Sequence, residues 1–217
     1  MKKKYWTTNI LFTFAFLTFI SPLSYWLYDH VKNDHLLYET VMAEQLYEKE
    51  KKEILTNRDF SQEKEFAERV PVLMYHQIIP EDKLKPHHYS EDGTLSDTIV
   101  TLEAFKKQMD YLKKNDYTVL SLKEFTLYMM NGKKVPAKSV LITFDDGIKN
   151  VFKFAYPVLK EHGFYAVHFL ITGVITEKTE RYNPYSFQYA SGKELRESAD
   201  VFDYGNHTHN FHQRNEK

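Results

Sequence analysis

Cysteine is absent from the 217 residues, glycine and proline number seven each, and tryptophan only two. Without cysteine there is no disulfide framework, no thiolate metal site and no cysteine nucleophile. Any metal centre is therefore built from His, Asp and Glu. The sparse glycine and proline exclude a collagen-like or low-complexity chain. Neither sign of charge is in excess: 29 Lys and Arg against 30 Asp and Glu leave a net charge of −1. That balance offers no electrostatic footprint for nucleic acid. What the chain does have is apolar bulk, 42% hydrophobic and 16% aromatic, far above a disordered polymer. It also has ten histidines. At roughly 150 residues per domain, the length predicts one or two domains.

Lys2, Lys3 and Lys4 precede an uncharged stretch from Tyr5 to Tyr28, about 24 residues or roughly 36 Å as a helix, enough to cross a hydrocarbon core of about 30 Å. Residues 1–28 are read as a signal-anchor. A cleaved signal peptide is the competing reading, but no small-residue cleavage box follows the apolar run. Tyr25, Trp26 and Tyr28 stand there instead, as in an interfacial belt. The basic start predicts a single-pass protein with everything after the helix outside the cell, or a secreted one if the signal is cleaved. Residues 29–69 change character. The mixed-charge run Glu48–Glu53 and the loosely spaced Leu37, Val41, Leu46 and Ile54 predict a solvated helical stalk. The apolar seam is too ragged for a sustained coiled coil.

From Val70 to Lys217 strand-like and helix-like patterns alternate. Val72–Tyr75 reads as a strand, and residues 80–98 as a long aperiodic loop. Leu102, Phe105, Met109 and Leu112 mark an amphipathic helix, and Tyr117–Leu120 a strand. Leu122–Met130 is a short helix stopping at Asn131-Gly132. Ser139–Phe144 is apolar enough to be buried on both faces. Val151 to Leu159 reads as a helix bent by Pro157 and closed at Gly163. Strands over Tyr165–Ile171 and Val201–Tyr204 flank a helix at Glu194–Ala199. This alternation predicts a parallel α/β sheet or barrel, with chemistry at the carboxyl ends of the strands.

Two strand ends qualify. One carries Thr143-Phe144-Asp145-Asp146-Gly147, and the other Gly205-Asn206-His207-Thr208-His209-Asn210-Phe211-His212. Adjacent aspartates at a strand end also serve as turn formers or caps, and a histidine cluster also occurs as a solvated loop. A parallel fold, however, brings both ends to one rim. There a carboxylate and two imidazoles make a three-ligand site with open positions, as in catalytic zinc or iron centres. The second carboxylate is then free to act as a base. His209 competes as a ligand, though strand alternation aims it at solvent. His76 follows the first strand and either lines the pocket or bonds structurally. His87 and His88 read as surface residues, and Asn206 either bonds a ligand histidine or shapes the turn.

These residues resemble the carbohydrate esterase family 4 polysaccharide deacetylases, the NodB homology domain. Thr143–Gly147 is similar to the family's first motif and Gly205–His212 to its second. The resemblance implies Asp145 as general base and Asp146, His207 and His212 as ligands of a divalent ion, zinc above all. The five-residue spacing of His207 and His212, with Phe at 211, resembles the branch that de-N-acetylates poly-β-1,6-N-acetylglucosamine in biofilm matrix. Pro71–His76 and Phe105–Leu122 are similar to that branch as well. The implied activity is hydrolysis of N-acetyl groups on an extracellular N-acetylglucosamine polymer. Peptidoglycan or chitin-type deacetylation, or a non-catalytic membrane-tethered carbohydrate-binding remnant, are the alternatives.

The chain departs from the family in one respect. The later motifs, among them a histidine general acid, are not found in it. Val70–Lys217 also falls short of the roughly 200 residues or more that a complete barrel takes. The sequence thus predicts an incomplete (β/α) barrel, residues 70–217, behind a transmembrane helix and stalk. Such a chain is expected to be inactive or nearly so by itself, with a separate C-terminal half as a conceivable partner.

Overall fold

The computed structural model describes residues 2–32 and 58–210. The chain forms two units, Met1–Ile54 and Leu55–Lys217. In the first, helix α1 runs from Lys2 to Lys32. Its segment Asn9–Asp29, 21 residues, is long and apolar enough to cross a membrane, a property shared by anchors and signal sequences. The helical stalk expected over residues 29–69 is helical as far as Lys32, and residues 33–57 lie outside the described residues. Residues 58–69 carry no helix. They belong to the second unit and pack within it: Phe60 is buried with Leu120 and Val135. The Arg58 guanidinium grips the Glu124 carboxylate through Nε at 2.8 Å and Nη2 at 2.6 Å, and also donates to the Val119 carbonyl at 2.7 Å.

The second unit is a parallel α/β sheet. Strands β1 (Val72–Tyr75), β4 (Thr118–Val119), β5 (Ser139–Phe144), β6 (Ala166–Leu170) and β7 (Phe202–Asn206) form it in the order β1-β5-β6-β7, with β4 also on β5. Every pairing is parallel. Strand β5, SVLITF, is buried at all six positions, as expected for a strand covered on both faces. Among the described residues β1 and β7 are each paired on one side, so the sheet is open there.

The intervening helices follow their local chemistry. Helix α2 (Leu102–Lys114) starts at Thr101, whose hydroxyl accepts from the Ala104 amide, and buries Phe105, Met109 and Leu112 along one face. Helix α3 (Leu122–Asn131) opens on a Ser121–Glu124 capping box and ends at Gly132 in the left-handed region. After β5 the chain makes a π-turn over Val151–Ala155 before helix α4 (Tyr156–His162). Pro157 has no amide to donate back to residue 153, which accounts for the widened turn where a bent helix was expected. Helix α5 (Gly192–Glu197) has its own capping box, Ser191 with Glu194.

The region 80–98 is the long loop expected, and the short strands on either side of it are not legible in the sequence. It contains two short 3-10 turns and leads into β3 (Ile99–Thr101), which pairs in parallel with β2 (Gln77–Ile79). Strands of three residues carry no readable alternation. His88 is likewise not a surface residue. It is buried, and its Nδ1 accepts from the Lys85 amide at 3.0 Å. Burial, then the charges of His87 and Lys85, hold its pKa below the ordinary value.

Candidate active site

The acidic doublet sits where β5 leaves the core. The Asp145 amide donates to the Tyr75 carbonyl at 3.0 Å, tying the turn to β1. Asp146 and Gly147 then both take positive φ, 73° and 77°. For Asp146 this is the sparsely populated left-handed region, which aspartate tolerates better than most residues. Glycine at 147 avoids that strain, and a Cβ there would also meet Leu170 Cδ2 at 3.2 Å. The turn thus aims two consecutive carboxylates at one end of the sheet. Their side chains are 13% and 12% exposed, so both are largely withdrawn from water.

Strand β7 brings its residues to the same end. It runs two residues further than the sequence pattern suggested, to Asn206, and the His207 amide donates to the Leu170 carbonyl at 2.8 Å. A Cβ on Gly205 would lie 2.6 Å from the Phe169 ring, so β7 can approach β6 this closely only with glycine there. His207 Nε2 lies 3.5 Å from Asp146 Oδ1, and His76 Nε2 lies 3.9 Å from Asp145 Oδ2. Asn206 shapes the turn: its Oδ1 accepts from the Thr208 amide at 2.9 Å. His209 is exposed, with Nδ1 at 3.0 Å from the Thr172 hydroxyl. His212 lies outside the described residues.

Asp146 and His207 can be tested as co-ligands by their separation. Two donors each about 2.1 Å from one tetrahedral ion stand roughly 3.4 Å apart, and Asp146 Oδ1 and His207 Nε2 are at 3.5 Å. A hard carboxylate oxygen beside an imidazole nitrogen is also a donor set suited to zinc. Among the described residues no group of three donors forms, and these two make a partial fit.

Two features of the site left no mark in the sequence pattern. The segment 188–194 straps the acidic turn: Ala190 donates to the Gly147 carbonyl and Lys149 to the Gln188 carbonyl, both at 2.9 Å. The buried Lys149 ammonium holds Glu194 at 2.6 and 2.7 Å. This strap pairs Tyr189 with Ile148. Burial, then the nearby Asp146 charge, pushes the Tyr189 phenol up. His168 lies in the core beneath the same turn, fully buried among Phe144, Phe152 and Phe202.

Residues 132–217 match the polysaccharide deacetylase family. Over 144 residues the chain is 33% identical to the poly-β-1,6-N-acetyl-D-glucosamine N-deacetylase of Staphylococcus aureus (strain MSSA476), covering 64% of this chain and 48% of that protein. It is 35% identical over the same length, with the same coverage, to the protein of that name from Staphylococcus epidermidis. The chain thus spans about half the length of the curated relatives it matches. Among solved structures, IcaB from Ammonifex degensii superposes with a TM-score of 0.53 at 28% identity, covering 66% of this chain and 54% of that one. The Streptococcus pyogenes deacetylase PplD, solved with acetate, superposes with a TM-score of 0.52 at 27% identity, covering 64% and 55%.

Proposed function

We propose, for a chain that carries a polysaccharide deacetylase domain of the NodB type, that it hydrolyses N-acetyl groups on an N-acetylglucosamine polymer outside the cell. The observation that carries this reading is the approach of Asp146 to His207 at 3.5 Å, with a second, withdrawn carboxylate one residue away. The names of the staphylococcal relatives support poly-β-1,6-N-acetylglucosamine, the biofilm polymer, as the substrate.

In this reading Asp146 and His207, together with His212, hold a divalent ion, zinc by its donor chemistry. That ion would supply Lewis-acid polarisation of the acetyl carbonyl and lower the pKa of a water. Asp145 takes the proton from the attacking water. His76, 3.9 Å from Asp145, borders the same space and contacts the sugar. No general acid is assigned among the described residues. Helix α1 anchors the chain in the membrane with the domain outside, the three lysines holding the N-terminus within.

The test has two arms. Zinc binding by the full chain is measured by calorimetry, and acetate release from a β-1,6-linked N-acetylglucosamine oligomer is measured with and without zinc. The reading expects zinc binding that Asp146→Ala and His207→Ala abolish, and zinc-dependent acetate release that Asp145→Asn suppresses. Sugar binding indifferent to all three changes, with no zinc bound, overturns it in favour of a carbohydrate-binding protein.

A further inference from the structure

The strap beside the acidic turn opens with four aromatic residues in eight, Tyr182, Tyr185, Phe187 and Tyr189. Two are engaged with the domain: Tyr182 meets Phe154 edge-on at 5.2 Å, and Tyr189 pairs with Ile148 through the backbone. The other two face water, Tyr185 at 71% exposure and Phe187 at 57%. Single exposed rings are ordinary on a surface, but these two stand on a loop that holds them out. The Gln188 side chain closes that loop. Its Oε1 accepts from the Asn183 amide at 2.7 Å, and its Nε2 donates to the Arg181 carbonyl and the Glu180 carboxylate, both at 3.1 Å. Asn183 Oδ1 in turn accepts from the Tyr185 amide at 3.0 Å. The Lys85 ammonium lies 4.7 Å from the centre of the Tyr185 ring and steadies it from the 80–98 loop. The Phe187 ring rests edge-on against Tyr189 at 5.2 Å.

Backbone bonds join this loop to the carboxylates. The Lys149 amide donates to the Gln188 carbonyl and the Ala190 amide to the Gly147 carbonyl, both at 2.9 Å. Phe187 is three residues from Ala190, so at most about 11 Å of chain separates it from the residue bonded to Gly147. The 80–98 loop, which carries Lys85, leaves β2 just beyond His76, whose Nε2 is 3.9 Å from Asp145 Oδ2. The two loops that meet at Tyr185 therefore both depart from the rim that bears the acidic doublet. We propose that Tyr185 and Phe187 form an outer subsite for the glycan, gripping N-acetylglucosamine units that neighbour the one presented to Asp145 and Asp146. The proposal rests on the reading of the chain as a deacetylase of an N-acetylglucosamine polymer. A pyranose ring carries C–H bonds on its faces and hydroxyls around its edge, so it packs on an exposed aromatic ring while its hydroxyls stay in water. An acetylated polymer is uncharged, and two neutral rings suit it better than an ionic site would. Rings with few rotatable bonds, held in place beforehand, also lose little freedom on binding. A lipid surface accepts exposed aromatics too, but the attachment of this loop to the acidic turn favours the substrate.

The test measures binding of a β-1,6-linked N-acetylglucosamine pentamer by calorimetry and of the monosaccharide by ligand-observed NMR. The full chain is used in detergent, with Asp145→Asn to stop turnover. Tyr185→Ala and Phe187→Ala are each expected to weaken pentamer binding about tenfold and to leave monosaccharide binding unchanged. Tyr185→Phe and Phe187→Tyr keep the original affinity, because the ring and not the hydroxyl makes the contact. With Asp145 intact, the alanine variants raise KM for the pentamer about tenfold at unchanged kcat and unchanged thermal midpoint. Pentamer binding that the double variant Tyr185→Ala/Phe187→Ala leaves unchanged overturns the proposal, as does an equal loss for pentamer and monosaccharide, or a chain that binds no oligomer. Amide exchange at residues 183–188 names the other occupants. If the pentamer leaves it unchanged while transfer into lipid vesicles or a rise in protein concentration slows it, a membrane or a second copy takes the surface and the proposal falls. Pentamer binding through this loop without acetate release overturns the deacetylase reading alone, so the two failures are told apart.

Discussion

Replacing His168 by Phe changes how stability depends on pH. Burial lowers the pKa of this ring from an ordinary 6.5 to about 3 in the folded chain. Between those values the unfolded chain binds a proton that the folded chain refuses, so stability is lost as pH falls below 6.5 and the loss levels off near 3. One proton corresponds to about 1.4 kcal/mol per pH unit, so moving from about pH 7.5 to about pH 5 costs the wild type about 2 kcal/mol through this residue alone. The groups packed on the ring are Phe144, Phe152 and Phe202, with Tyr204 beside it in register. The three phenylalanine rings carry no ionisable group. Urea unfolding at several pH values, followed by far-UV circular dichroism in detergent, measures the difference. Tryptophan fluorescence does not serve, because Trp6 and Trp26 both belong to α1. From about pH 7.5 to about pH 5 the wild type is expected to lose about 2 kcal/mol relative to His168→Phe, whose curve stays flatter over that interval. Parallel curves would refute the argument, since they would mean the ring titrates alike in both states.

Asp146→Ala and His207→Ala are expected to weaken zinc binding by more than the roughly 10–100-fold typical of outer-shell partners, as read by calorimetry. Asp145→Asn should retain zinc while lowering acetate release by about 100-fold or more, a split that separates base from ligand. Arg58→Ala strands the buried Glu124 carboxylate. Burial pushes that group up, but Arg58 and the Ser121 amide together outweigh burial and hold its pKa low. With Arg58 itself partly exposed, the expected loss is about 2–3 kcal/mol in a urea titration, below the 3–5 kcal/mol of a fully buried pair. Gly147→Ala, at φ 77° and against Leu170, should destabilise the chain by about 1–3 kcal/mol and weaken zinc binding with it.

Much of the framework is legible in the residues because its causes are local. Ser139–Phe144 reads as a strand buried on both faces since Val140, Leu141, Ile142 and Phe144 put apolar side chains on both. Phe105, Met109 and Leu112 announce one helix face, and Thr101, Ser121 and Ser191 cap helices through bonds spanning three residues. The motifs at 143–147 and 205–212 can be found because their chemistry depends on residues adjacent in the chain. The three-residue strands β2 and β3 escape such a reading, since each is stabilised mainly by the other across the loop between them. The same is true of Arg58, which reads as part of a charged linker until Glu124 is seen at its side.

The amino-acid order by itself determined where strands and helices alternate, that an apolar helix leads the chain, and that an acidic doublet and a histidine cluster end two strands. These follow from side-chain size, polarity and spacing within a few residues. Only the tertiary structure decided that Asp146 and His207 stand 3.5 Å apart, that Tyr189 is strapped over the acidic turn, and that His168 is sealed in an aromatic cage beneath it. Those facts depend on parallel register between strands distant in sequence. A strand's own residues specify which of them face inward, but the partner strand specifies what they meet.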